Sequence, residues 1–253
     1  FIESHRLAQF KPRATDVAVL LDLMIHDIDL ILHIVKSPVT EVRASGVAVV
    51  TSTIDIANAR IEFANGCVTN ITASRISQRP MRKLRMFQRD AYISLDFAKP
   101  SVEIFRITDD PTATGTLSLG ELDLGESRRT ILFDQPTMPQ VNAIQMELQT
   151  FTDAILHGGA PPVTATDGAE ALRIAELIIN TIEAKGSNQG RRSASATRFC
   201  SSYPTLPNAT ARRFTLLAAT FATCCWATQA TTLTSLLKGA AWSLPSLWQG
   251  SFG

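Results

Sequence analysis

The opening FIESHRL alternates apolar and polar positions, the period of a short strand, and LAQFKPRAT after it has the composition of a connecting loop. From Asp16 the pattern changes. The run VAVLLDLMIHDIDLILHIVK is too long and too continuously apolar for a strand, and Ser37-Pro38 stops it. It predicts a helix over about residues 17–36 with Asp16 as its N-cap. Alternation returns in EVRASGVAVVT and IDIANARIEFA, Asn65-Gly66 is a strong hairpin turn, and CVTNITASRIS is its returning arm. MRKLRMFQ, Arg89-Asp90 and AYISLDFA repeat that arrangement; SVEIFRI follows, residues 109–127 are turn-rich, and RRTILF supplies one more strand.

Beyond Pro139 the period lengthens. VNAIQMELQTFTDAILHG has helical spacing and stops at Gly158-Gly159; the link APPVTAT leads to a further helix, DGAEALRIAELIINTIEAKG, with Asp167 near its start and Gly186 at its end. A helix, four to seven mostly antiparallel strands and two closing helices make an α+β layout: one open sheet with helices packed on one face. No internal repeat is present.

Composition changes this picture in one respect. The chain has 253 residues, 45% hydrophobic and 19% charged, a globular balance, and its net charge of +1 gives no bias toward nucleic acid or membrane. Yet all 23 Asp and Glu lie within residues 1–187. Residues 188–253 contain none, hold all three tryptophans (Trp226, Trp242, Trp248) and run through long Ala, Ser and Thr stretches. Residues 1–187 are therefore read as the functional body. The tail reads as disordered or as non-native sequence resembling translation in a wrong frame. Its uncharged run 214–237 is too rich in threonine for a good membrane span, and its dispersed basic residues make no nucleic-acid patch. The four cysteines have neither metal spacing nor a disulfide framework, and the start lacks the order of a signal peptide, so a cytoplasmic location is expected.

Candidate chemistry centres on LLDLMIHDIDLILHIV. At 100° per residue Asp22, His26, Asp29 and His33 share a face about 60° wide, while Asp27 belongs to the opposite side. Elsewhere the helix is Leu, Ile, Val and Met, so burial is expected, and buried ionisable groups are costly unless paired or used. Three readings remain open on the residues alone. One is a self-satisfied network of aspartates and imidazoles. Another is a metal site, disfavoured because ligands from one straight helix spread over about 16 Å. The third is an acid/base pair, in which an aspartate one turn before a histidine fixes the imidazole tautomer and raises its basicity, as removal of a hydroxyl proton requires.

The run LDLMIHDID, preceded by IESHR and followed by IEFANGCVTNITASR and the closing GAEALRIAELI, resembles the carboxy-terminal domain of the glucose-fructose oxidoreductase / inositol dehydrogenase (Gfo/Idh/MocA) family over about residues 1–186. Its wording is closest to members that oxidise the 3-hydroxyl of UDP-N-acetylglucosamine. The resemblance implies a substrate-binding and oligomerisation domain of an NAD- or NADP-dependent dehydrogenase acting on a sugar, nucleotide sugar or cyclitol hydroxyl, with His26 as base and Asp22 orienting it. It also implies an amino-terminal Rossmann domain and a Glu-Lys-Pro element, and neither motif occurs in this sequence. The expectation is a chain that is inactive alone and binds neither NAD nor NADP tightly. The alternative is a non-catalytic binding or assembly module that keeps the fold.

Further substrate-binding candidates are Glu3 and His5 on one face of the leading strand, Arg6 on the other, Lys11 and Arg13 as a clamp for a sugar-nucleotide diphosphate, and Asp29 beside the histidines. Arg75 either faces substrate or closes its strand, and His157 suits a helix carboxy terminus. No metal is expected. The implied partners are a sugar or nucleotide-sugar substrate and a second subunit across the open sheet face, read as poor in charge, with no nucleic acid and no membrane.

Overall fold

A computed structural model describes residues 1–12, 15–109, 117–123, 128–138 and 142–193. Its strands are β1 (Ile2–Leu7), β2 (Val39–Val47), β3 (Ile56–Phe63), β4 (Val68–Ser74), β5 (Met81–Phe87), β6 (Ala91–Asp96), β7 (Ser101–Thr108), β8 (Leu117–Asp123) and β9 (Arg128–Asp134). Helices are α1 (Ile25–Val35), α2 (Ala143–Leu156) and α3 (Ala165–Ser193), and a π-helical turn, Leu20–Met24, leads into α1. The strands form one open sheet in the order β2-β3-β4-β1-β5-β6-β7-β9-β8. Every pairing is antiparallel except β1 with β4. This is the α+β class that the patterning predicts, with no doubly wound parallel sheet among the described residues.

Local chemistry explains most of the elements. Asn65-Gly66 makes the β3–β4 connection: Gly66 takes φ 78°, and the Asn65 side chain accepts from the Cys67 amide at 3.1 Å. Asn142 caps α2 by accepting from the Gln145 amide, and Thr164 and Asp167 cap α3 reciprocally. α1 and α3 pack on one sheet face, α1 against α3 and α3 against β2, while the π turn lies on β4. The core between them includes Leu20, Met24, Ile28, Ile31, Ile61, Ile71, Leu84, Ile174 and Ile178.

Several expectations change. Eight of the nine strands fall on the alternating segments, the opening strand and seven after the first helix, and 117–123 within the turn-rich stretch adds the ninth by pairing with β9. The first helix begins three residues later than predicted: Asp16 is exposed in a turn, and Val19 occupies the cap position without a side-chain bond. Its amide is satisfied instead by the Ile54 carbonyl at 2.8 Å, so a neighbouring loop replaces the expected cap. α3 continues through Gly186 to Ser193, so the 187/188 boundary falls inside a helix, and residues 194–253 lie outside the described residues. α2 leaves Ile144, Leu148, Phe151 and Ile155 exposed on one stripe.

The sheet face away from α1 and α3 is not poor in charge. Glu3 pairs with Arg85 at 3.7 Å and Lys83 with Asp96 at 3.5 Å, while Arg60 lies beside Glu62. Along one margin runs an aromatic row, Phe1, Phe87, Tyr92, Phe105 and Phe133, with successive ring centroids 4.9–5.9 Å apart. Among the described residues no helix is long and apolar enough to cross a membrane.

On the helix-covered side β2 and α3 approach closely at Gly46. A Cβ there would lie 2.8 Å from Ile54 Cγ2, 3.0 Å from Ile182 Cδ1 and 3.2 Å from the Ile56 carbonyl oxygen. Gly46→Ala should therefore cost about 1–3 kcal/mol, read as a lower urea midpoint with an unchanged slope; an unaltered midpoint would show that the strand and helix yield freely.

Candidate active site

The stripe predicted on the first helix exists, and it faces outward. Ile25, Asp27, Ile28, Leu30, Ile31 and Val35 form the buried arc of α1, whereas His26 and Asp29 are half-buried and His33 is exposed. Asp22 is half-buried within the π turn. The penalty anticipated for a polar stripe in a core is thereby largely avoided. The Ile25 amide donates to the Leu20 carbonyl five residues back, the bond of a π turn. Such a turn takes more residues to close than an α turn. Asp22 lies inside this turn and His26 in the first turn of α1.

Asp27, set aside as lying opposite the stripe, is the buried partner of β1. Ser4 Oγ donates to Asp27 Oδ1 at 2.7 Å, and Arg6 Nε to Asp27 Oδ2 at 2.5 Å, with both ion-pair side chains only 4% exposed. Arg6 is thus corrected from a substrate-binding candidate to an internal anchor, its guanidinium turned toward α1. Alternation along β1 sends Glu3 and His5 to the other sheet face, where they lie opposite Arg85 and Lys83, so the structure does not bring them to His26. Lys11 is exposed in the loop after β1, and Arg13 lies outside the described residues. His157 sits at the C-cap of α2, with Nδ1 2.8 Å from the Asp153 carbonyl oxygen.

One turn along from His26 the stripe opens into a cleft of about 460 Å³ between α1 and the start of α3. Asp29, His33 and Lys36 line one side, and Asp167, Glu170 and Pro162 the other. Burial, and then the charge of Asp167, push the Asp29 carboxyl up to about 6. His33 is held below its ordinary value by burial and by Lys36, with Asp167 opposing. Among the described residues no group of three or more His, Cys, Asp or Glu side chains is arranged to hold a metal ion.

The chemistry available is proton transfer: the imidazole of His26 follows the carboxylate of Asp22 by four residues, one turn along from a polar cleft. A dinucleotide fits less well. The amino termini of α2 and α3 are occupied by their own capping side chains, and no glycine-rich turn joins a strand to a helix among the described residues. Asp27 and Asp55 are the structurally important acids whose roles the sequence reading missed, whereas Asp167 sits near a helix start as read. The usable signal for Asp27 was its position as the lone charge on the apolar arc.

Comparison with known proteins agrees with this fold. Residues 4–93 match the model of the GFO/IDH/MocA C-terminal domain. A UDP-N-acetylglucosamine 3-dehydrogenase from Acidithiobacillus ferrooxidans is 45% identical over 105 residues, which are 42% of this chain and 34% of that protein. A solved structure of the UDP-N-acetylglucosamine 3-dehydrogenase of the same organism superposes with a TM-score of 0.62 at 32% identity, covering 72% of this chain and 54% of its own. A levoglucosan dehydrogenase in complex with NADH shares the fold at 16% identity, with a TM-score of 0.55, covering 72% of this chain and 56% of its own. The chain therefore spans between a third and about half of the length of these relatives.

Because the folded Asp29 carboxyl lies near 6 rather than its ordinary 3.8, its uncharged form is favoured in the native state. The stability this contributes is fully present below about pH 4 and is lost as pH rises through about 6. Asp29→Asn keeps the uncharged form at all pH. It should stabilise the protein by about 1–3 kcal/mol at pH 7–8 and by nothing below about pH 4, measured by urea denaturation across pH. A difference independent of pH would contradict the assignment. With the sheet order and these matches together, residues 4–93 carry a domain of the Gfo/Idh/MocA carboxy-terminal type.

Proposed function

We propose that this chain is the substrate-side domain of an NAD- or NADP-dependent oxidoreductase that oxidises a sugar hydroxyl, with a nucleotide sugar of the UDP-N-acetylglucosamine type as substrate. What supports the reading is that Asp22 and His26 flank the junction of the π turn and α1, both half-buried and one turn along from a polar cleft. His26 takes the hydroxyl proton as the C–H bond breaks, and Asp22 holds the ring in the tautomer that accepts it. The nicotinamide, when bound, supplies the hydride acceptor. Lys11, and Arg13 beyond it, suit the diphosphate, and Asp29 suits a sugar hydroxyl. The greater length of the relatives and the uncovered apolar stripe of α2 support a cofactor-binding domain elsewhere in the full protein. Alone, this chain binds the dinucleotide poorly and does not turn over.

Joined to a dinucleotide-binding domain, the protein reduces NAD or NADP in the presence of UDP-N-acetylglucosamine, followed by nicotinamide absorbance. His26→Ala then lowers kcat by about 10²–10⁴-fold and leaves cofactor binding within about threefold. Equal activity in the variant refutes the role of His26.

The open sheet face is read as the contact with a second copy, its aromatic margin providing the apolar part and its paired charges the register. Sedimentation of the chain should give a dimer, and Tyr92→Ser with Phe105→Ser a monomer of unchanged circular dichroism; a monomeric parent excludes this contact.

A further inference from the structure

We propose that the buried Arg75–Asp55 pair and Thr53 form a bracket that positions Asp22 against His26, a role that rests on the acid/base reading of those two residues. Arg75 and Asp55 both lie in the core, with Arg75 Nε 3.6 Å from Asp55 Oδ1, and the Arg75 amide donates to the Asp55 carbonyl at 3.0 Å. One guanidinium nitrogen reaches across to donate to the Val17 carbonyl and, at 3.4 Å, to that of Ile54. Thr53 Oγ1 lies 3.2 Å from the carbonyl oxygens of both Thr15 and Val17, and the Val19 amide donates to Ile54. Residues 15, 17 and 19 are therefore tied, at alternate positions, to one loop and one arginine. Between them, the Ala18 carbonyl accepts from the Asp22 amide at 3.2 Å. The backbone of Asp22 is one hydrogen bond away from the bracket.

The bracket is itself rigid. Asp55 Oδ2 accepts from the amides of Val49, Val50 and Thr51 at 2.7–2.9 Å, and Oδ1 accepts from Thr51 Oγ1 at 2.7 Å. Burial alone would raise this carboxyl, but the Thr51 amide and hydroxyl and the amides of Val50 and Val49 outweigh it and hold Asp55 well below the ordinary range. A permanent anion thus fixes a permanent cation. That matters because the π turn has no side-chain cap of its own. An uncapped turn frays, and a small rotation there moves the Asp22 carboxylate relative to the His26 imidazole. Arg75 and Asp55 are positioning residues; neither touches substrate on this reading.

The test uses the chain as it stands, labelled for NMR, with the imidazole signals of its four histidines titrated against pH. A nearby carboxylate raises an imidazole midpoint, so loosening Asp22 lowers that of His26. Arg75→Met is expected to lower the His26 midpoint by about half a pH unit or more, while His5, His33 and His157 move by less than about 0.1. Arg75→Lys, which keeps the charge and one donor, is expected to recover at least half of the change. Should Arg75→Met lose its dispersed spectrum, Thr53→Val, near-isosteric and lacking the hydroxyl, gives the same reading by a smaller perturbation. A His26 midpoint unmoved in the folded variants overturns the proposal and leaves the pair as scaffold only. No cofactor or substrate enters this measurement, so its failure is distinct from failure of the proposed activity, which is judged by turnover of His26→Ala.

Discussion

The buried contact of Asp27 with Ser4 and Arg6 fixes the geometry on which the rest depends. A helix as apolar as α1 could present several arcs to a sheet at similar hydrophobic gain, because Leu, Ile and Val surround it almost completely. One charge on that surface removes the ambiguity. Asp27 must find its partner or bear the cost of an unpaired buried carboxylate, about 3–5 kcal/mol when such a pair is broken. Only one rotation of α1 lets it meet Ser4 and Arg6 on the inward face of β1. The same rotation sends His26, Asp29 and His33 outward. The ion pair thus acts less as a source of net stability than as a selector of one arrangement among several.

That selection reaches through the sheet. β1 lies between β4 and β5, parallel to the first and antiparallel to the second. With Ser4 and Arg6 directed toward α1, strict alternation leaves Glu3 and His5 on the far face beside Arg85 and Lys83. Neighbouring residues of β1 therefore serve different ends: Ser4 and Arg6 anchor α1 internally, while Glu3 and His5 lie on the sheet face proposed as a contact between copies.

Much of this architecture was legible because local pattern determines it. Alternation located β1 to β7 and β9, Asn65-Gly66 located a turn, and the change of period after Pro139 located α2 and α3. The strand order was not legible: the placement of β1 between β4 and β5 arises from long-range pairing that no local window contains. β8 was hidden because its glycine and flanking turns obscure alternation, and it is held by β9 rather than by intrinsic preference. The π turn was invisible to an argument that assumed 100° per residue throughout. That His26, Asp29 and His33 share a face was predicted from that same argument, since beyond Met24 the helix is α and the angles apply; that this face turns outward was not. Asp27 and the Arg75–Asp55 pair were missed for one reason. Each carries a charge whose meaning lies in a partner at least 20 residues away in sequence.

Charge is distributed unevenly along the axis of α1, and this constrains how a substrate lies on the proposed reading. The chain enters the helix from a loop bearing Lys11, and the amino-terminal end of a helix favours negative charge. At the other end the cleft gathers Asp29, Asp167 and Glu170 against His33 and Lys36. Asp29 already rises to about 6 under burial and the charge of Asp167, so a diphosphate placed in that cleft would meet repulsion from carboxylates that crowd one another. A neutral, hydroxyl-rich ring meets acceptors there instead. The orientation that satisfies both ends directs the phosphates toward Lys11 and sets the sugar across His26 with its far hydroxyls toward Asp29. On the proposed reading, reversing the substrate would place anion against anion at one end and leave the basic loop unpaired at the other.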